Sequence, residues 1–139
     1  MSNLLYRKLS YALQGAFFNV DKAFGYAFKE SVYHNALAEE LRQNNINIIS
    51  QKRINIFCRN KKVGVYVPDL IIDDAIVVEI KCKPRLTIED VRQFWHYLKG
   101  SEYKVGYLVN FGHSGRVELI RRVYDTARER HEMSRVLSR

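Results

Sequence analysis

The chain is poor in cysteine, proline and glycine: its 139 residues include two Cys, two Pro and seven Gly. Cys58 and Cys82 are too few for a disulfide framework, and with no Cys/His cluster around them they cannot supply the four ligands of structural zinc. The histidines, His34, His96, His113 and His131, are equally scattered and show no ligand spacing. So few chain breakers, beside 47% hydrophobic residues, exclude a collagen-like or disordered chain. No apolar run nears the ~20 residues that a membrane-spanning helix needs. Residues 1–8 lack the charge, apolar stretch and small residues of a signal peptide. The expectation is a cytoplasmic protein in a reducing setting. Acid is scarce relative to base: 23 Lys and Arg face 15 Asp and Glu, a formal charge of +8. That sign favours a polyanionic partner without choosing among DNA, RNA and an acidic membrane.

What is there suits one domain with one core, expected over about residues 5–123, with a basic helical tail over 124–139. Apolar spacing predicts helices over 4–20 and 28–43, separated by a segment containing Gly25. Ile54, Ile56 and Cys58 alternate with Arg53, Asn55, Phe57 and Arg59 as in a half-buried strand, and Asn60-Lys61-Lys62 reads as a turn. Residues 63–72 and 76–82 are apolar runs around Asp73-Asp74, the pattern of a hairpin. Thr87, three residues before Asp90, opens a helix to about Lys99, with Ile88, Val91, Trp95 and Leu98 at helical spacing. Residues 104–111 and 117–120 read as further strands, and 121–139 as a polar helix. The predicted order is α-α-β-β-β-α-β-β-α, an α/β fold whose mixed central sheet is flanked by helices.

The informative segment is Pro68-Asp69, followed ten residues later by Glu79-Ile80-Lys81. Side chains two apart on a strand share a face roughly 6–7 Å apart, so Glu79 and Lys81 point one way and Ile80 the other. Charges inside the run Ile76-Val77-Val78-Glu79-Ile80-Lys81 conflict with burying a central strand, and such conflicts concentrate at functional sites. A two-residue loop at Asp73-Asp74 would set Asp69 opposite Val78, whereas a three-residue loop pairs Ile72 with Ile76 and Asp69 with Glu79. The three-residue loop is the expectation. Two carboxylates and an ammonium would then converge, a setting for Mg²⁺ with oxygen ligands and open water positions. Lys81 would orient or deprotonate a water, or steady charge on a phosphate. Glu30 shares a helical stripe with Tyr33, Leu37 and Leu41 and so faces inward. Gln93, one turn before Tyr97, is placed to hold a water or a phosphate oxygen.

Pro68-Asp69 with Glu79-Ile80-Lys81 resembles the signature of the PD-(D/E)xK nuclease superfamily. Glu30-Ser31-Val32-Tyr33 is similar to the ExxY element of its small GxxExxY family, as are residues 13–20, 93–98 and 105–112. The resemblance spans about residues 5–123. In one respect the chain departs from it: the Gly usual three residues before the Glu is Ala27 here, with Gly25 two residues earlier. The resemblance implies a restriction-endonuclease-like core and phosphodiester hydrolysis dependent on Mg²⁺, with Mn²⁺ as a substitute. It implies Asp69, Glu79 and the Ile80 carbonyl as metal ligands, and Glu30, Asp69, Glu79, Lys81 and Gln93 as the residues at work.

Lys52, Arg53, Arg59, Lys61 and Lys62 cluster around the first hairpin, where they would meet backbone phosphates through sequence-independent charge. No helix-turn-helix, zinc finger or aromatic RNA-binding motif accompanies them, so little base specificity is expected. DNA is favoured over RNA as substrate, and a homodimer would add surface to embrace a duplex. The alternative is a non-catalytic nucleic-acid-binding scaffold of the same fold. A membrane-surface role ranks last, for want of a basic amphipathic helix with aromatic anchors.

Overall fold

The computed structural model describes residues 6–124. The fold opens with two helices, α1 (Arg7–Phe24) and α2 (Glu30–Gln43). In α1, Leu13, Ala16, Phe17 and Val20 recur at steps of three and four and are buried; in α2, Tyr33, Leu37 and Leu41 do the same. Five strands follow, β1 (Ile48–Ser50), β2 (Ile54–Cys58), β3 (Lys61–Tyr66), β4 (Leu70–Ile72) and β5 (Ile76–Lys81), then α3 (Ile88–Gly100), β6 (Val105–Asn110) and β7 (Glu118–Val123). The main sheet has the order β1-β4-β5-β6-β7, and β2 with β3 forms a separate two-stranded sheet. Among the described residues only β5 and β6 run parallel, joined by the α3 crossover; the other pairs are antiparallel. The predicted α/β class with a mixed sheet and flanking helices is therefore what the chain adopts.

The period of two along each strand splits the core into two layers. Leu70, Ile72, Ile76, Val78 and Ile80 face α1 and α2, whereas Val77 and Leu108 face α3 and the β2–β3 hairpin, meeting Phe94 and Tyr66. Strand β6 is buried along its whole length, as a strand covered on both faces should be. At Gly106 any Cβ would come within 2.6 Å of Phe94, so the missing side chain is what lets α3 lie this close to the sheet.

Several expectations need correction. The apolar run 63–72 is two strands in different sheets, because Pro68 has no N–H to give a ladder and breaks the run between β3 and β4. Strand β1 was not expected; three residues are too few to show an alternation. The turn of the first hairpin is Arg59-Asn60, both with positive φ (50° and 67°), so Lys61 and Lys62 belong to β3. Helix α3 buries Phe94 and Leu98, while Ile88 is 71% exposed. Residues 121–123 complete β7 rather than start a helix, being paired with Val105, Gly106 and Tyr107. The helical tail expected beyond them lies outside the described residues. Thr87 does cap α3: its hydroxyl accepts from the Asp90 amide, and the Asp90 carboxylate accepts from the Thr87 amide.

Candidate active site

The hairpin β4–β5 has the three-residue loop: Ile72 pairs with Ile76, Ile71 with Val77 and Leu70 with Val78. Continuing that register sets Asp69 opposite Glu79 and Pro68 opposite Ile80. Along a strand, successive residues send their backbone groups to opposite sides. Lys81 bonds toward β6, its carbonyl accepting from Phe111 N–H at 3.0 Å, so Ile80 turns its own N–H and C=O toward β4. There it meets Pro68, which cannot donate. The Ile80 N–H instead finds the Asp69 carboxylate, at 2.7 Å from Oδ2. The Pro-Asp dipeptide thus ends the ladder, fixes one carboxylate against β5 and leaves the Ile80 carbonyl aimed past the end of the pairing.

Glu79 lies largely buried beside Asp69, and its Oε2 accepts a 3.3 Å hydrogen bond from the Tyr66 hydroxyl. Burial first, then the charge of Asp69 and a hydrogen bond with it, push the Glu79 carboxyl up to about 8, against the pull of Lys81 and Tyr66. Burial and the Glu79 charge likewise raise the Tyr66 hydroxyl, which stays a donor. Facing Asp69 in a partly dry site, the Glu79 carboxyl keeps its proton into the neutral range.

Glu30 stands at the first turn of α2, largely exposed at the mouth of the cleft rather than facing inward as its stripe with Tyr33, Leu37 and Leu41 predicts, because the first turn of the helix overhangs the core. Its carboxyl is raised, by burial first and then by Asp69, while the charges of Lys81 and His34 lower it. The helix is held there by Tyr33, fully buried, whose hydroxyl donates to the Gly25 carbonyl at 2.6 Å and accepts from the Phe28 amide at 3.2 Å. Gly25, with φ 68°, ends α1 in the left-handed region and accounts for the shifted glycine of this loop. His34, one turn after Glu30, sets Nδ1 4.0 Å from Asp69 Oδ1 and Nε2 3.4 Å from Ser50 Oγ. Glu30, His34, Ser50, Gln51 and Asp69 line a cleft of about 590 Å³.

The strand end that carries Lys81 is clamped from β6. Asn110, fully buried, accepts from the Lys83 amide at 2.9 Å and donates to the Lys83 carbonyl at 2.8 Å and to Glu118 at 2.8 Å. At Gly112 a Cβ would fall 2.3 Å from Lys83 N, so this crossing requires glycine. Lys83 also reaches Asp90 at 2.7 Å. Burial there works against ionisation, but the bonds from Lys83 and from Thr87 hold the Asp90 carboxyl down at about 2.

The structure therefore brings Glu30, Asp69, Glu79, Ile80 and Lys81 to one place. Gln93 is exposed on α3 in a second groove with Arg92, His96 and Tyr97, and of these Tyr97 stacks on Tyr66 at 4.5 Å. Arg53, Arg59, Lys61 and Lys62 are exposed on and beside the β2–β3 hairpin. Lys52 is engaged elsewhere, donating to the Tyr103 hydroxyl at 3.2 Å and lying 3.9 Å from Asp74. Sequence reasoning missed His34 and Tyr66. The i to i+4 step from Glu30 would have pointed to His34; Tyr66 was hidden inside the run that Pro68 divides.

Among the described residues no three His, Cys, Asp or Glu side chains gather into a metal cage. Asp69 and Glu79 form an open pair, and that donor set fits Mg²⁺, which typically takes one or two carboxylates and keeps several waters. The paired carboxylates and the lysine stand at the carboxyl end of a strand, where open α/β sheets place their ligand sites. Over residues 7–123 the sequence matches the family model of the PD-(D/E)XK nuclease superfamily, and the chain belongs to that superfamily. Membership implies a phosphodiesterase acting on nucleic acid, in a superfamily that typically uses divalent metals. No curated protein and no solved structure matches the chain. Among the described residues no helix is long and apolar enough to cross a membrane.

Proposed function

We propose that the protein is a Mg²⁺-dependent nuclease of the GxxExxY branch that hydrolyses phosphodiester bonds, foremost in DNA, with little base specificity. The observation that carries this reading is the hairpin register that faces Asp69 with Glu79 and opposes Pro68 to Ile80, beside Lys81. Asp69, Glu79 and the Ile80 carbonyl would hold the ion. When bound, it supplies Lewis-acid stabilisation of a phosphoryl oxygen and lowers the pKa of a water.

Lys81 shares the Glu79 face and acts on the charges of both Glu79 and Glu30, so its ammonium orients the attacking water and offsets charge on the phosphate. Glu30 opens into the cleft as the second acid. Gln93 holds a water or phosphate oxygen on the α3 side. Arg53, Arg59, Lys61 and Lys62 grip backbone phosphates, and Lys52 contributes through its remaining donors.

The test is a panel of labelled single-stranded, duplex, flapped and four-way DNA and RNA. Cutting with Mg²⁺ or Mn²⁺, and binding without turnover in Ca²⁺, is expected. A folded protein that binds nucleic acid but cuts nothing on the panel would move the reading to the scaffold.

A further inference from the structure

We infer that the β2–β3 hairpin is an arm that grips unpaired nucleic acid by stacking Phe57 on a base while its cations hold the flanking phosphates. This rests on the proposed nuclease reading, because it takes the strand gripped by the arm to be the one presented to Asp69 and Glu79.

Residues 53–66 contain Arg53, Arg59, Lys61 and Lys62 and no Asp or Glu. All four cations are exposed, and among the described residues none is in an ion pair with a carboxylate. Amid this positive charge Phe57 is 61% exposed and Val63 64% exposed. The inner face of the hairpin already does the packing, with Ile54 and Ile56 set among Phe94, Tyr97 and Tyr66. Phe57 makes no ring contact among the described residues, so its apolar surface serves nothing inside the fold.

The arm is also set in shape before any ligand arrives. Arg59 and Asn60 form a tight two-residue turn with positive φ at both positions, and the register breaks at Ile56/Phe57, leaving Val63 as the extra residue of a bulge. An exposed aromatic ring among cations on a preset hairpin suits a single strand, whose bases expose their π-faces; a duplex hides those faces. Charge complementarity alone would not distinguish the two.

The foot of the hairpin touches the carboxylate pair. Tyr66, at the end of β3, donates to Glu79, and Phe57 stands three residues from Ile54, the partner of Tyr66. At about 3.3 Å per residue that is roughly 10 Å, the length of about three stacked nucleotides. The base gripped by Phe57 would therefore lie about three nucleotides from the scissile phosphate. An exposed aromatic between cations also suits an anionic lipid surface, but the direct link from the hairpin to Glu79 favours nucleic acid.

The experiment uses the full chain in Ca²⁺ with three probes: a fluorescein-labelled single-stranded oligonucleotide, its blunt duplex, and phosphatidylserine vesicles. Phe57→Ala is expected to weaken single-strand binding about tenfold with duplex binding nearly unchanged, and Phe57→Trp to restore it. Lys61→Ala with Lys62→Ala should weaken both nucleic acids and flatten the salt dependence. Equal losses on single strand and duplex, no loss at all, or a Phe57 effect seen only on vesicles would overturn the proposal.

Cleavage assays beside Lys81→Ala separate the two readings. A wild type that cuts nothing, yet needs Phe57 for single-strand binding, removes the nuclease and keeps the arm. Cutting abolished by Lys81→Ala, with Phe57→Ala binding like wild type, removes the arm and keeps the nuclease.

Discussion

Replacing Glu79 with Gln should make the metal-free protein more stable while destroying its activity. The carboxyl is pushed from an ordinary value of 4.5 up to about 8 by burial and by Asp69. Between those values the native state binds more protons than the unfolded chain, so stability falls as pH rises. The contribution of the protonated Glu79 carboxyl is complete below pH 4.5 and is lost progressively as pH climbs toward 8. Each pH unit in that window costs about 1.4 kcal/mol, so pH 7 lies roughly 3 kcal/mol below the acid plateau. Glu79→Gln keeps the shape, and its amide oxygen can still accept from the Tyr66 hydroxyl, but it cannot ionise. Urea unfolding in EDTA from pH 5 to 8 should show the wild type losing stability and the variant staying flat, with the variant up to about 3 kcal/mol more stable at pH 7. Adding Mg²⁺ should close the gap by stabilising only the wild type. A flat wild-type profile, or a variant less stable at pH 7, would refute the claim that this pair is held in frustration for a cation.

Other expectations follow from the same geometry. Asp69→Asn can still accept the Ile80 N–H, so it should fold normally while Mg²⁺ affinity by calorimetry falls roughly tenfold or more; an unchanged titration would remove Asp69 as a ligand. Tyr33→Phe leaves the Gly25 carbonyl and the Phe28 amide without their shared partner. It should cost about 1–3 kcal/mol in denaturant unfolding and lower cleavage by releasing Glu30. Asp90→Ala removes the capping box and the Lys83 bridge, for a loss of about 1–2 kcal/mol. Because the Asp90 carboxyl is held down at about 2, the wild type keeps that advantage above pH 3.8 and loses it as pH falls through 2, which thermal melts against pH will show. Gly112→Ala forces a Cβ against the Lys83 backbone and should cost about 3 kcal/mol, seen as a lowered melting temperature.

The legible parts of this chain were those with a long or strict period. The apolar spacing over 4–20 and the Thr87–Asp90 box announced α1 and α3, and the apolar run before Glu79-Ile80-Lys81 announced β5. The loop at Asp73-Asp74 fixed the register on which the candidate site depends, and three-residue spacing put Asp69 across from Glu79. What stayed hidden was set by tertiary neighbours. Strand β1 is three residues long, and its place beside β4 comes from the sheet edge rather than its own pattern. The separation of β3 from β4 turns on one proline in an otherwise apolar run. His34 meets both Asp69 and Ser50 only because α2 and β1 converge over the end of β4. Ile88 looked like core by spacing, yet it lies in the exposed first turn of α3, ahead of the surface that the sheet covers.

The central claim is that Lys81, beside a metal-binding carboxylate pair, performs hydrolysis rather than shaping the fold. Single-turnover cleavage of the substrate best bound in Ca²⁺, restarted with Mg²⁺, should compare the wild type with Lys81→Ala. Equal melting temperatures, equal binding and cutting by the wild type alone are predicted; turnover by purified Lys81→Ala would contradict the account.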